Sequence, residues 1–375
     1  MNYRRAMVSA ILLLLSGGLL KAVDLRIGLF YDKDLQSIVF TVVEGEYVLY
    51  GNNLRVAVAR KGSIFHIERT GAGLSVQDTQ QSYGTFGNLE LNGMSAINVF
   101  LVKPVLPSLP ARESDDNLIV SLSDNALQLI NRMEMEKYVA GTVESEGGPN
   151  ATIEYYKAQA VLIRTFARKN FYRHAHEGFN LCDDVHCQAY KGKSRLNKEI
   201  FAATLATKDQ ILADAHGEPV ITAYHANCGG ITASASMIWN KDLPYLIPVK
   251  DPFCNGTSNH DWNKSLSRED WNTYLSTKGF PGVVLPDVSE PALTRQKFLD
   301  PERIRLPMTQ IRDDLKLKSS YFTLHALNGQ VEISGHGYGH GLGLCQDGAI
   351  EMARVGYCYV DILMFYFHGL KLVTP

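Results

Sequence analysis

Two cysteines and three histidines crowd into fourteen residues: His174, His176, Cys182, His186 and Cys187. Thiolate and imidazole are donors that suit zinc, and a structural zinc takes four of them. The spacing differs from that of common zinc fingers. A disulfide between Cys182 and Cys187 is the competing use of the two thiols, and both readings stay open on spacing alone.

A carboxylate of interest is Glu146, at the end of Tyr138-Val139-Ala140-Gly141-Thr142-Val143-Glu144-Ser145-Glu146. The pattern predicts a helix from Asn150 to about His174, with Asn150 able to cap its first amides. Ile153, Tyr156, Ala160, Ile163, Ala167 and Phe171 recur at three- and four-residue steps and form one apolar face. Lys157, Arg164 and Arg168 lie on another face, as a solvated surface or as support for a nearby carboxylate. Just before that helix, Glu146 would feel the positive end of the dipole, which favours its charged form. Burial would favour the neutral form. A plain surface glutamate is the alternative.

The run from His336 to Gln346 carries glycine at 337, 339, 341 and 343. Such spacing exposes backbone, while His340 and Gln346 offer hydrogen-bonding groups. It is neither a Walker loop nor a dinucleotide loop, because the Gly-Lys-Ser/Thr and the helix-opening glycine triplet are missing. A tight strand-to-helix loop is the plain reading. Tyr224 and His225 end a strand before the Gly229-Gly230 turn.

These groups need elements to position them. Residues 23–122 are strand-like, with Ser37–Val43, Leu54–Ala59 and Ala96–Val102 separated by Gly, Asn and Asp. Further on, a helix is expected over Asn197–Thr207 and a hairpin over Gln210–Asp214 and Val220–Ala226. A second hairpin, Tyr321–Leu327 with Gln330–Ser334, turns at Asn328-Gly329, a pair that favours tight primed turns. Two C-terminal helices should stop near Gly356 and Gly369. Asn263–Ser319 is polar and irregular and receives no role. The expected fold class is α+β: an antiparallel β-rich part (23–122), then a core of mixed helices and hairpins (123–375) that carries the catalytic groups.

Arg4 and Arg5 precede an apolar run, Ala6–Leu20, too short for an ordinary membrane span. Residues 1–22 therefore read as a signal peptide or, if uncleaved, an N-terminal anchor. The chain is expected to be exported, to the periplasm or the outer face of the cytoplasmic membrane. A net charge of -2 over 375 residues argues against a nucleic-acid partner, which would normally meet a basic stripe.

In their order along the chain, these motifs resemble the stage II sporulation protein D family, which includes the amidase-enhancer proteins. The carrying residues are Glu136, Tyr138 to Gly141, Glu146, Lys157 to Val161 with Arg164-Thr165, and Cys187 to Gly192. They continue through His225, Cys228-Gly229-Gly230, Thr232, Trp239, Pro244-Tyr245-Leu246, Asp251, Gly337 to Gly341, Gln346 and Gly348-Ala349. Gly356 and Phe365-Tyr366 complete the set. The resemblance implies a peptidoglycan lytic transglycosylase with Glu146 as its single acid and base. It also implies a structural zinc on His176, Cys182, His186 and Cys187, with His174 a bystander. A bridge between Cys228 and Cys254 is implied as well.

An extended cleft for the glycan would be lined by Arg164, Gln188, Tyr190, His225, Tyr338, His340 and Gln346. The partners implied are glycan strands, with or without stem peptides, and a cell-wall amidase. The alternative is a non-catalytic, glycan-binding amidase enhancer. A zinc hydrolase fits poorly, because four protein ligands close the metal and no His-Glu-x-x-His is present. The chain departs from the family where Gly147-Gly148-Pro149 replaces Met-Pro after Glu146, and where His225-Ala226-Asn227 replaces His-Ser-Ser.

Overall fold

The computed structural model describes residues 24–71, 73–283 and 294–375. The N-terminal segment 1–22, read as a signal or anchor, lies outside the described residues. Among those described, no helix is long and apolar enough to cross a membrane.

Alternation of apolar and polar residues puts one side of each early strand inside. Ile38, Phe40 and Val42 of Ser37–Glu44 are buried, with partly exposed residues between them. Two sheets result. The first runs in the order 112–115, 99–106, 37–44, 64–70, 73–77, 82–86. The second runs 181–182, 24–29, 126–134, 117–123, 88–93, 46–51, 54–60. Every ladder in them is antiparallel except one, the parallel pairing of Ile27-Gly28 with Leu181-Cys182. The sheets share a core: Phe40 stacks on Phe100 at 5.3 Å, and Tyr47 meets Phe40 edge-on at 5.6 Å. The fold is α+β, as expected. The limit drawn at 122 is not a break in the architecture, because Asn117–Ser123 and Ala126–Glu134 form one hairpin across it.

Two helices follow at once: α1 (Met135–Gly147) and α2 (Ile153–Lys169). The helix expected from Asn150 starts at Ile153, with Thr152 as its N-cap, and stops at Lys169. Its buried surface is wider than one stripe. Tyr155, Tyr156, Gln159, Leu162 and Arg164 are all inside. The reason is position: α2 is packed by α1, by Lys198–Ala206, by the strand Ile211–Ala213 and by both C-terminal helices.

The helix Lys198–Ala206 is capped by Asn197, whose side chain accepts from Glu199 N–H. Ile211–Ala213 pairs chiefly with Lys371–Val373 at the C-terminus, so the expected hairpin with 220–226 is reduced to a bridge between Ala213 and Pro219. The Asn328-Gly329 hairpin forms, joining Phe322–Leu327 to Gln330–His336, and both turn residues have positive φ (49° and 76°). The described residues of the segment left without a role build a core of their own. Asp261–Ser267 pairs with Gln330–His336, and a second apolar core gathers Trp262, Trp271, Leu275, Ile304, Leu306, Ile311 and Phe322. The C-terminal helices are Gln346–Arg354 and Tyr359–Tyr366.

Candidate active site and metal centre

Glu146 lies in the last turn of α1, not ahead of a helix start. The difference reverses an electrostatic expectation. The C-terminal end of a helix carries partial negative charge, which disfavours a carboxylate. Burial acts in the same direction and is the largest influence: the Glu146 carboxyl is raised above the usual range. Opposing it, the Ala189 N–H donates to Oε1 at 2.7 Å, and the Tyr224 hydroxyl and Lys191 favour the charged form. Glu144, two residues earlier, has a different job. It accepts from Ser194 Oγ and from the backbone amides of Arg195, Leu196 and Asn197. That anchors the segment entering the next helix.

Around Glu146 the structure assembles four segments. Gln188 lies next to Ala189 and is buried; it accepts from Tyr138 Oη at 3.1 Å and reaches Tyr224 Oη at 3.5 Å. Gln346 donates from Nε2 to the Glu146 carbonyl at 3.0 Å, across 200 residues of sequence. Tyr224-His225 pairs in parallel with Leu344-Cys345. His225 and His340 face each other at 5.6 Å, with Trp239 6.2 Å from His340.

Both histidines are held neutral. Burial, then the nearby His340 and Arg295, pushes His225 well below its ordinary value. Burial, then Arg312 and Arg295, pushes His340 down to about 4. His225 Nδ1 meets the Leu342 carbonyl at 3.0 Å, and its buried Nε2 has no hydrogen-bond partner among the described residues.

Several residues expected to contact a glycan do other work. Arg164 is fully buried and holds Glu136 through two nitrogens, at 2.9 and 2.5 Å, and the carbonyls of Thr204 and Gln210. It is a core cation, because α2 is enclosed on that face too. Tyr190 is buried against Tyr138 at 5.5 Å. The glycine run is pressed against backbone: a Cβ on Gly343 would come within 2.2 Å of the Ala223 carbonyl oxygen, and one on Gly337 within 2.5 Å of that of Asn227. Tyr338 remains 46% exposed, its backbone paired with Asn227. Tyr224 was absent from the expected site set; its position directly before His225 on a short strand was the available signal.

The histidine–cysteine segment folds beside this site. His174, Cys182, His186 and Cys187 bring one donor atom each to within 4.8 Å of one another. Cys187 Sγ lies 3.4 Å from His174 Nε2, and Cys182 Sγ lies 3.7 Å from His186 Nδ1. Tetrahedral bonds of about 2.0–2.3 Å would place such donors roughly 3.3–3.8 Å apart, so the set fits one zinc ion. His174 Nδ1 faces Glu177 Oε1 at 2.6 Å, the outer hydrogen bond that fixes a ligating tautomer. His176 is the correction. It lies on the Ala175–Glu177 turn with its side chain 78% exposed, and it does not join the group. Buried His174, packed on Phe179 at 4.8 Å, takes its place. Cys182 and Cys187 are free thiols. Hydrogen bonding with Cys187 is the largest of the influences that lower Cys182, to about 5.

The family profile described as "SpoIID: Stage II sporulation protein" matches residues 123–213, which span Glu146 and the whole metal group. The stage II sporulation protein D of Bacillus amyloliquefaciens is 27% identical over 78% of this chain and 88% of its own length. Over these residues the chain is similar to the stage II sporulation protein D family. An uncharacterized protein of Brachyspira hyodysenteriae is 29% identical over 67% of this chain and 69% of its own length. The amidase enhancer of Bacillus subtilis is 25% identical over 62% of this chain and 40% of its own length. The similarity extends to proteins of both names, so it gives no choice between them.

Proposed function

We propose that this protein is an exported, cell-wall-acting lytic transglycosylase that uses Glu146 as both acid and base. One observation carries the reading: a half-buried carboxyl at a helix C-terminus, raised by burial, with one oxygen fixed by the Ala189 N–H. A general acid must keep its proton near neutral pH, and this environment favours that form.

Protonated Glu146 donates to the glycosidic oxygen between N-acetylmuramic acid and N-acetylglucosamine, and the C1–O bond breaks through an oxocarbenium-like state. The resulting carboxylate takes the proton from the muramyl 6-hydroxyl as that oxygen bonds to C1, closing an anhydro ring. Water is not the nucleophile, so one carboxyl suffices where ordinary glycosidases need two. The Ala189 N–H and the Tyr224 hydroxyl stabilise the carboxylate midway.

Zinc on His174, Cys182, His186 and Cys187 has a structural part in this reading. Held there, it would fix the segment whose next residues, Gln188 and Ala189, address Tyr224 and Glu146. Four protein donors leave no open position for chemistry on the ion.

The name of the amidase-enhancer relative favours a second reading, a glycan-binding activator without turnover. Intact and peptide-free glycan strands incubated with purified protein separate the two. Anhydro-ended fragments in the mass spectrum support the enzyme. Unchanged strands, with stimulation of a co-incubated cell-wall amidase, support the activator.

A further inference from the structure

A second group of metal-binding side chains lies beneath the paired strands Tyr224-His225 and Leu344-Cys345. Cys228, Asp251, Cys254 and Cys345 are all buried, and one donor atom of each lies within 4.8 Å of the other three. Cys228 Sγ is 3.4 Å from Cys254 Sγ and 3.2 Å from Asp251 Oδ2. We propose that these four side chains form a second structural site for one divalent cation of the zinc class, with three thiolates and one carboxylate as ligands.

The spacing is that of a single ion, since tetrahedral thiolate ligands with bonds of about 2.3 Å stand roughly 3.8 Å apart. A disulfide would use two of the thiols and leave the third, with a carboxylate, buried in contact with it. One ion uses all four donors.

The surroundings suit a metal–thiolate centre. Backbone amides point at sulfur: Cys228 and Gly348 N–H at Cys345 Sγ (3.2 and 3.4 Å), and Gly230 N–H at Cys254 Sγ (3.3 Å). Asp251 is oriented by Tyr366 Oη at 2.9 Å and by the Phe253 N–H at 2.9 Å, the outer hydrogen bonds that ligating carboxylates usually have. Gly348 leaves the needed room: a Cβ there would lie 2.3 Å from Asp251 Oδ2 and 2.4 Å from Tyr366 Oη. Three thiolates and a carboxylate exceed the charge of a divalent ion by two. The buried Arg295 guanidinium, bonded to the Cys228 and Ile231 carbonyls at 2.6 and 2.9 Å, offsets part of that excess.

Such a site would tie together the turn after His225, the 251–254 loop and the start of the helix that carries Gln346. It would therefore fix the hydrogen bond from Gln346 to the Glu146 carbonyl from behind. This inference does not depend on the glycan-cleaving reading, since it concerns metal content alone.

The test is metal stoichiometry with thiol counting on the full chain, purified with added zinc and freed of excess. Metal content is measured by plasma mass spectrometry on wild type, Cys345→Ser and Asp251→Asn, and on His174→Ala to empty the other group. The Cys345 variant is expected to lose one zinc per chain and the His174 variant a different one. Wild type denatured in chelator without reductant should show all six cysteines as free thiols. Should the variants fail to fold, the wild type decides alone: two zinc ions per chain with six thiols supports the site. A Cys228–Cys254 disulfide in the peptide map, or a folded Cys345 variant with undiminished zinc, overturns it.

Discussion

The backbone N–H of Ala189 donates to Glu146 Oε1 at 2.7 Å, which joins the end of α1 to the residue two places after Cys187. The His–Cys donor group and the candidate acid are thus linked through one short segment of structure. Glu146→Gln keeps a similar shape and an acceptor for that N–H but cannot give or take the proton. Cleavage of glycan strands should fall by at least about 100-fold, the lower range for loss of a positioned acid or base. Thermal unfolding should show a fold intact to within a few degrees. Full activity in a folded Gln variant would remove Glu146 from the chemistry.

Glu144→Gln should behave in the opposite way. Its carboxylate collects one hydroxyl and three backbone amides from 194–197, so replacing it weakens charge-assisted hydrogen bonds worth roughly 1.5–3 kcal/mol each. Lower stability in urea, with kcat retained below the melting transition, is the expected pattern.

His174 and His176 make a paired test. Only His174 lies in the donor group, with Glu177 behind it. His174→Ala should abolish zinc retention at the His–Cys group, whereas His176→Ala should retain it after dialysis. Chelator should lower the melting temperature of wild type and of the His176 variant, and much less that of the His174 variant. Zinc lost from His176→Ala and kept by His174→Ala would show that the 174–187 segment folds differently.

These residues also show what one-dimensional reading could reach. Sequence order was enough to single out Glu146, Cys182, Cys187 and Gln346 as candidates, and the structure brings their segments together. The choice of histidine was not legible, because His174 and His176 differ only in which side of a single turn they occupy. Arg164 looked like one member of a basic face with Lys157 and Arg168. Nothing local reveals that Glu136, 28 residues away, neutralises it inside the core. The 261–336 segment hid its core because its apolar residues come from short strands and helices that meet only through tertiary packing. Conversely, Asn328-Gly329 was readable, since its turn conformation is a property of two residues.

The buried Arg164–Glu136 pair should be costly to break. Arg164→Ala leaves Glu136 inside with no counter-charge, a change worth about 3–5 kcal/mol. Urea unfolding is expected to show that loss, and KM for glycan in the surviving folded fraction should not change. A rise in KM without loss of stability would restore Arg164 to the binding surface.

The last test concerns the proton on Glu146. Its carboxyl is raised chiefly by burial, and the Tyr224 hydroxyl is one of the groups that pull it back down. If the protonated form starts the reaction, kcat/KM should decline as pH rises through that raised value. The same shift has a stability consequence of defined sign. The folded state holds the proton more tightly than the unfolded one, so Glu146 contributes its full share below its unfolded value near 4.5. That share is lost as pH rises through the folded value. Wild type should therefore lose stability relative to Glu146→Gln across this window. Tyr224→Phe removes a hydroxyl whose influence favours the carboxylate and leaves the ring in place. The alkaline limb of the profile should then move to higher pH, which simple loosening of the fold would not produce. An unmoved limb in a stable Tyr224 variant would mean that another group sets the pH dependence, and Glu146 would lose its place as the titrating acid.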